Sequence, residues 1–227
     1  MPEFDQYSQS YSQDIDKVIG VFGQTHDFFI RSKADIILSA LAALNRDVSK
    51  LKLLDVGCGV GLVHPYIVNA LGELRGAEVS GASLDIARKN NPAVQYDVYD
   101  GTKLPYADAT FDGAVAVAVM HHVPPAQWLD FLCEMRRVVR PGGLVLVIEH
   151  NPLNPATQWV VRHAPMDENA KLLTPWRLRR LMKAAGVRQT WIRYVLFTPF
   201  AGKIFRLLDR LLERVPLGTQ YAAGGKA

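Results

Sequence analysis

The stretch KLKLLDVGCGVG, residues 50–61, constrains the fold of this chain more than any other stretch does. A short apolar run ends at Gly57, and Gly59 and Gly61 follow at alternate positions. Such a run is typical of a buried strand. A turn without side chains lets a ligand approach the backbone and the N-terminal end of the next helix. The stretch therefore predicts the first strand, turn and helix of an α/β fold, with a ligand at the turn.

Strand and helix patterns alternate along the rest of the chain. After the first strand at 52–56, short apolar runs predict strands at 74–79, 94–99, 110–119, 144–150 and 187–197, and a last strand or tail at 218–226. Helical periodicity or helix punctuation predicts helices at 27–44, 62–71, 82–90, 124–139, 174–186 and 201–215. Pro124 and Pro125 are predicted to open their helix, and RPGG at 140–143 to be a turn. The alternation predicts a Rossmann-like, doubly wound parallel sheet.

The composition is that of a globular protein without a membrane span. The 227 residues fit one domain, with 49% hydrophobic and 21% charged residues. The longest apolar runs are far shorter than the roughly 20 residues that a span needs. The N-terminus lacks the features of a secretory signal, and the positions of Cys58 and Cys133 argue against a disulfide framework. These features predict a single cytoplasmic domain, residues 1–227.

The glycine spacing argues against a dinucleotide. The dinucleotide fingerprint G-x-G-x-x-G needs a third glycine three residues after the second. That position is Leu62 here, because the glycines are Gly57, Gly59 and Gly61. The turn is therefore a poor match for NAD.

Five stretches together resemble the class I S-adenosylmethionine-dependent methyltransferases, in particular the small-molecule "type 11" enzymes. They are LLDVGCGVG, GAEVS, YDGTKLPYADATFDGAV, VAVMHHV and EMRRVVRPGGLVLVIEH, in the order and at the spacing of that family. The resemblance implies about seven strands, the last one antiparallel, and transfer of a methyl group from S-adenosylmethionine. It also implies an N-terminal helical lid at 1–45, a cofactor-binding core at 46–150, and substrate-side loops, helices and last strands at 151–227.

The same resemblance implies a set of cofactor-binding residues. They are Asp55, Gly57, Cys58, Gly59, Gly61, Glu78, Val79, Asp100, Gly101 and, in the lid, Tyr11. Glu78 matches the acidic residue that hydrogen-bonds the ribose, and Asp100 the one near the adenine. The residues support the first role independently, since a carboxylate about 20 residues past the glycines is suited to accept two ribose hydroxyl protons.

Four polar side chains follow the fourth and fifth predicted strands, where an open α/β sheet gathers its ligands. They are His121, His122, Glu149 and His150. A histidine there could remove a proton from a hydroxyl or amine, and Glu149 with His150 could orient a polar substrate. Structural alternatives remain open, namely a capping or packing role for the histidines and a rigid Asn-Pro loop after the fifth strand. No metal site is predicted.

The net charge of +4 hides an asymmetry. Residues 171–227 carry twelve Lys or Arg against Asp209 and Glu213, a net of +10 that leaves −6 for the rest. In this region KIFRLLDRLLERV, residues 203–215, is an amphipathic pattern that predicts a helix covering the sheet or the cleft. A dimer contact or a peripheral membrane contact is the alternative. A pI of 9.1 without a recognisable RNA-binding module argues against nucleic acid.

The predicted function is methyl transfer to the oxygen, nitrogen or carbon of a small biosynthetic molecule, by in-line displacement and with a histidine as the candidate base. S-adenosylhomocysteine would be the product. Two alternatives stay open. One is a quinone or lipid methyltransferase at the membrane surface, suggested by the amphipathic C-terminal helix; the other is a non-catalytic cofactor-binding partner of another methyltransferase. The sequence does not predict an oligomeric state.

Overall fold

The computed structural model of the chain describes residues 26–197 and 203–227, so Tyr11 and most of the predicted lid lie outside the described residues. The strands are β1 Lys52–Val56, β2 Glu73–Glu78, β3 Gln95–Val98, β4 Phe111–Val117, β5 Val139–His150, β6 Arg188–Val195 and β7 Gln220–Lys226. They form one sheet in the order β3-β2-β1-β4-β5-β7-β6.

Strands β1 to β5 run parallel, whereas β7 runs antiparallel to both of its neighbours, β5 and β6. This arrangement confirms the predicted Rossmann-like sheet with an antiparallel last strand. The chain winds outward from β1 to β3 and then returns to place β4 beside β1. The carboxyl ends of β1 and β4 therefore lie side by side, at the point where a doubly wound sheet binds its ligands.

Helices cover the sheet and connect its strands. They are α1 His26–Ala42, α2 His64–Ile67, α3 Gly81–Asn90, α4 Trp128–Val138, α5 Pro155–His163, α6 Pro175–Ala184 and α7 Lys203–Leu212. The predicted α2 is longer than the observed one, because the chain continues after Ile67 as a 3₁₀ turn, Val68–Ala70. Helix α5 was not predicted, although its N-cap is a typical one in which the side chain of Asn154 accepts from the Thr157 amide.

Two predicted boundaries around α4 are wrong. The helix begins at Trp128, so Pro124 and Pro125 precede it instead of opening it. The Trp128 indole donates to the carbonyl oxygen of Met120 at 2.8 Å, which fixes the helix start against the preceding turn. The RPGG segment belongs to β5 instead of forming a separate turn, with Gly142 at a φ of +77°. The β4–β5 register shifts there, which absorbs the extra residues.

The core lies on both faces of the sheet, because successive strand residues point to opposite sides. Ala114 and Ala116 of β4 pack in a cluster with α4 and α6, whereas Val115 packs in a second cluster with α1 and α3. Ile37 and Leu41 of α1 are fully buried in the second cluster. Each such side chain contributes about 1.5–3 kcal/mol by leaving water. This burial fixes the position of α1 beside the carboxyl ends of the strands.

The leucines of helix α7 do not lie in the core. Four of its leucines are exposed to solvent by 36–70%: Leu207, Leu208, Leu211 and Leu212. The Phe197 amide, just after β6, donates to Asp209 of this helix at 3.2 Å. Within the part of the chain that the structure describes, no helix combines the length and apolar character that crossing a membrane requires.

Candidate active site

The turn after β1 brings bare backbone to the carboxyl end of the sheet. Gly57, Gly59 and Gly61 have φ angles of +74°, +52° and +72°. Glycine adopts this left-handed region without the steric cost that a side chain brings. No atom lies within 4 Å of the place that a Cβ atom of Gly59 would occupy. The backbone of Gly59 therefore faces open space.

A cleft of about 320 Å³ opens at this turn. Seven of the predicted cofactor-binding residues line it: Asp55, Gly57, Cys58, Gly59, Glu78, Val79 and Gly101. Its other walls come from Ile30 and Lys33 of α1 and from the segment after β4, which includes Val119 and His122. The cleft thus lies at the ends of three neighbouring strands, and α1 adds one of its walls.

Asp55 lines this cleft and has one unpaired carboxylate oxygen. Its Oδ2 lies 3.0 Å from Nε2 of His64, and Nδ1 of the same ring lies 2.7 Å from the Tyr96 hydroxyl. The Asp55 Oδ1 is buried and has no hydrogen-bond partner among the described residues. A buried acceptor without a donor is costly. His64 therefore fixes the carboxylate, and Oδ1 is suited to accept a hydrogen bond from a ligand.

Glu78 lies at the end of β2 with its carboxylate among backbone amides. Its Oε1 accepts from Val79 at 2.8 Å and from Ser80 at 3.0 Å, and its Oε2 accepts from Gly59 at 3.0 Å. Burial raises the pKa of Glu78, against the effect of these three donors. A carboxylate has about four acceptor sites, so one site of Oε2 is left for a ligand hydroxyl.

Asp100 and Gly61 lie outside the residues that line the cleft. The Asp100 carboxylate instead accepts from the amides of Thr102 at 2.8 Å and Lys103 at 2.9 Å. These donors lower the pKa of Asp100 to about 2. Asp100 therefore shapes the loop that carries Gly101 to the cleft.

His121 is buried between two carboxylates. Its Nδ1 lies 2.6 Å from Oε2 of Glu149, and its Nε2 lies 3.5 Å from Oδ1 of Asp167. The other Glu149 oxygen accepts from the amides of Val119 at 3.0 Å and Met120 at 2.7 Å. Burial disfavours the His121 cation, but Glu149 and Asp167 outweigh it and raise the pKa of His121 well above its ordinary value. The two carboxylates therefore favour the cationic form of His121.

His122 and His150 have the opposite character. Burial and the neighbouring His121 charge lower the pKa of His122 to about 3 and that of His150 to about 4. Both are therefore neutral at pH 7. Only His122 of these histidines lines the cleft, and its Nε2 lies 3.4 Å from Asp167. Asp167 thus contacts the two adjacent histidines from the 3₁₀ turn Pro165–Asp167.

Lys33 reaches the same region from α1. Its side chain lines the cleft although the residue is only 8% exposed. Burial lowers the pKa of Lys33 to about 8, although Glu149 and Asp167 favour its cation. The cleft therefore joins a wall built on the glycine turn to a wall of titratable side chains.

Comparisons with known proteins agree with this geometry. A family model described as "Methyltransferase domain" matches residues 54–147, from β1 to β5. The chain is 37% identical over 105 residues to methyltransferase GfsG of Streptomyces halstedii, covering 43% of this chain and 37% of that protein. It is 28% identical over 187 residues to a ubiquinone biosynthesis O-methyltransferase of Cereibacter sphaeroides, covering 74% of this chain and 75% of that one.

A solved structure shares the fold. An S-adenosylmethionine-dependent methyltransferase from Archaeoglobus fulgidus superposes with a TM-score of 0.69 at 15% identity, covering 89% of this chain and 95% of that one. The matched residues 54–147 carry the glycine turn and most of the residues that line the cleft. Over residues 54–147 the chain matches the methyltransferase-domain family, and the comparisons support a class I S-adenosylmethionine-dependent methyltransferase.

The cleft of this methyltransferase fits its cofactor, S-adenosylmethionine. The Gly59 backbone faces open space, the buried Asp55 Oδ1 needs a donor, and Glu78 has an acceptor site left. The cofactor carries ribose hydroxyls and an amino group, which are donors of the kind that these oxygens accept.

Three residues of the methyltransferase site were missed from the sequence. His64 orients Asp55, Asp167 contacts both His121 and His122, and Lys33 lines the cleft from α1. Each of the three lies on a different helix, strand or turn from the predicted site residues near it. His64 stands next to Pro65 at a predicted helix start, and that position was the only available signal.

Proposed function

We propose that this methyltransferase moves the methyl group of S-adenosylmethionine to a hydroxyl oxygen of a small molecule, with His122 as the general base. The observation that carries the proposal is the position of the His122 imidazole on the cleft wall, where its Nε2 lies 3.4 Å from Oδ1 of Asp167. A hydroxyl must lose its proton when its oxygen gains a methyl group, so a base near the acceptor has a purpose.

The cofactor would be held by the glycine turn and by two carboxylates. Oδ1 of Asp55 would accept from the amino group, and Oε2 of Glu78 from a ribose hydroxyl. The Gly59 backbone would approach the cofactor without a side chain in between. Asp100 would act indirectly, through the loop that carries Gly101. When bound, the cofactor supplies an electrophilic methyl group on a sulfonium.

The chain's own contribution is alignment and proton transfer. The cleft walls hold the acceptor in line with the methyl group, which is the largest effect expected for a displacement of this kind. A carbon–oxygen bond forms, the carbon–sulfur bond breaks, and the hydroxyl proton passes to His122. Asp167 stabilises the imidazolium that results. His121 and Glu149 fix the end of β4 from which His122 extends.

Methyl incorporation by the purified chain tests this proposal. We expect turnover with phenols or catechols, and His122→Gln should lower kcat by about 10² while the Kd of S-adenosylmethionine stays unchanged. His163→Gln is the matched control, because His163 is exposed and contacts the Trp159 carbonyl and ring within its own helix. Wild-type kcat in His122→Gln, or turnover of amines alone, would contradict the proposal. Absence of any turnover would favour the non-catalytic alternative.

A second candidate function is methylation of a quinone or another lipid at the membrane surface. The exposed leucines of α7 favour it, together with the 28% identity to a ubiquinone biosynthesis O-methyltransferase. An apolar stripe in a region with a net charge of +10 suits an interface that carries anionic lipids.

Sedimentation with vesicles containing anionic lipid separates this candidate from a water-phase acceptor. We expect the wild-type chain to sediment with the vesicles and the double variant Leu207→Ser, Leu211→Ser to stay in solution with unchanged cofactor affinity. Leu153→Ser is the control, because Leu153 is exposed to a similar extent as Leu208 but lies before α5. Equal partition of wild type and double variant would remove the membrane candidate.

A further inference from the structure

Three side chains of metal-ligating type meet next to His122, which lines the cleft. One ligand atom each from His121, His150 and Asp167 lies within 4.8 Å of the other two. They come from three separate places: the turn after β4, the last residue of β5, and the turn that follows α5. The tertiary fold, and not local sequence, therefore assembles the cluster.

The first ligand is oriented as in known metal sites. Oε2 of Glu149 accepts a hydrogen bond from Nδ1 of His121 at 2.6 Å, and two backbone amides donate to the other Glu149 oxygen. A carboxylate on one ring nitrogen is the usual partner of a histidine that binds a metal through the other nitrogen. That other nitrogen, Nε2, faces Asp167 at 3.5 Å. Two ligand atoms that each lie about 2.1 Å from the same ion are roughly 3.0–3.4 Å apart, close to this separation between Nε2 and Asp167.

The ligand set and its surroundings suit a divalent ion. Two imidazoles and one carboxylate are typical of zinc, iron, cobalt or manganese and differ from the oxygen sites of magnesium and calcium. Glu149 and Asp167 place two negative charges at the cluster. The Lys33 ammonium on α1 interacts electrostatically with both carboxylates. Three protein ligands leave coordination positions open for other oxygens.

We propose that His121, His150 and Asp167 bind a divalent transition-metal ion whose open positions take two neighbouring oxygens of the methyl acceptor. The sequence predicted no metal site, because Asp167 lies far from the two histidines in the chain. The second half of the proposal rests on the proposed O-methyl transfer. It assigns the acceptor class as a molecule with adjacent oxygens, such as a catechol, held beside the cofactor cleft.

Metal titration of the full chain, without acceptor, tests the first half. After removal of metals with a chelator, we expect one equivalent of Zn²⁺ to bind in calorimetry, and Co²⁺ to give a visible absorption spectrum. His150→Ala and Asp167→Asn should weaken binding by roughly tenfold or more. His163→Ala should leave it unchanged, because His163 lies on the exposed side of α5. Bound S-adenosylmethionine at wild-type affinity verifies that each variant is folded.

The outcomes separate this proposal from the proposed function. Absence of Zn²⁺ binding, or equal binding in wild type and both ligand variants, would overturn the metal site and leave Glu149, His121 and Asp167 as an ion-pair network. Metal binding together with full catechol turnover after chelation would overturn the acceptor half. His150→Ala is informative here, since His150 has no part in the proposed proton transfer. Ligand-dependent metal binding without methylation of any hydroxyl would instead refute the proposed function alone.

Discussion

Gly57, Gly59 and Gly61 share positive φ angles, but a Cβ atom would meet different surroundings at each. At Gly57 it would lie 2.6 Å from a methyl group of Val119, and at Gly61 it would lie 2.9 Å from both His64 Nδ1 and the Tyr96 hydroxyl. At Gly59 it would meet open cleft. One residue type thus serves packing at two positions and ligand access at the third.

Alanine substitutions should separate these two needs. Gly61→Ala adds a clash to the unfavourable φ, so we expect a loss of about 1–3 kcal/mol in the free energy of unfolding. Gly59→Ala should cost less stability and should weaken S-adenosylmethionine binding more. Urea unfolding and calorimetry on both variants measure the two effects. Equal stability losses, with equal cofactor affinity, would contradict the assignment.

Glu78 should affect cofactor binding more than any nearby surface carboxylate. Loss of a hydrogen bond to a charged group costs about 1.5–3 kcal/mol, so Glu78→Ala should raise the Kd of S-adenosylmethionine by about 10- to 150-fold. Glu73→Ala is the control on the same strand, because Glu73 pairs with Lys52 and Arg75 outside the cleft. An unchanged Kd in Glu78→Ala would refute the ribose assignment.

At the scale of elements, helix α1 decides what the cleft contains. Its buried stripe, with Ile37 and Leu41, packs on the sheet and so directs Ile30 and Lys33 to the cleft. The sequence predicted this helix from its apolar period. It gave no reason to select Lys33, since a lysine beside an apolar stripe is usually solvent-exposed. Burial of the Lys33 ammonium therefore destabilises the folded state, but it places a cation in the site.

The pH dependence of stability should reveal this cost in chelator-treated protein. The pKa of Lys33 is lowered to about 8, so between pH 8 and its ordinary value near 10.5 the unfolded state binds more protons. Lys33 therefore makes the free energy of unfolding increase with pH across that window. Lys33→Met removes the penalty, so we expect it to be more stable than wild type by about 1–3 kcal/mol at pH 7. The difference should shrink toward pH 10.5; a constant difference would contradict the burial argument.

At the scale of the whole molecule, the last strand lies between β5 and the edge strand β6. Strand β7 pairs with β5 on one side and with β6 on the other. Its Tyr221 is fully buried, and the hydroxyl donates to the Leu173 carbonyl at 2.6 Å. The C-terminal segment therefore supports β5, whose carboxyl end carries Glu149 and His150.

Deletion of residues 220–227 should abolish cooperative unfolding and cofactor binding together. The deletion exposes edges of both β5 and β6 and removes the core side chain Tyr221. Tyr221→Phe is the control, because it removes one hydrogen bond and should cost only about 1 kcal/mol. Circular dichroism during thermal unfolding and cofactor calorimetry measure both effects. A truncated chain with wild-type cofactor affinity would show that β7 is dispensable.

Periodic and local signals made most of the fold predictable. The strand β1 was predicted with its observed bounds, because an apolar run stopped by glycine depends only on neighbouring residues. The boundaries near Pro124, Pro125 and RPGG were wrong, because contacts from Trp128 and the β4–β5 register fixed them. The exposure of the α7 leucines also escaped prediction, since the sequence shows an apolar stripe and not what covers it.

The sequence by itself predicted the family, the cofactor and the glycine turn, because each of the motifs behind them consists of residues close together in the chain. Only the tertiary structure brought Lys33, His64 and Asp167 to the site and shifted the pKa values of His121 and His122 in opposite directions. The physical reason is that a pKa and a ligand cluster depend on distances and burial between elements that are remote in sequence. Two adjacent histidines look alike in the chain, but one lies between two carboxylates and the other lines the cleft.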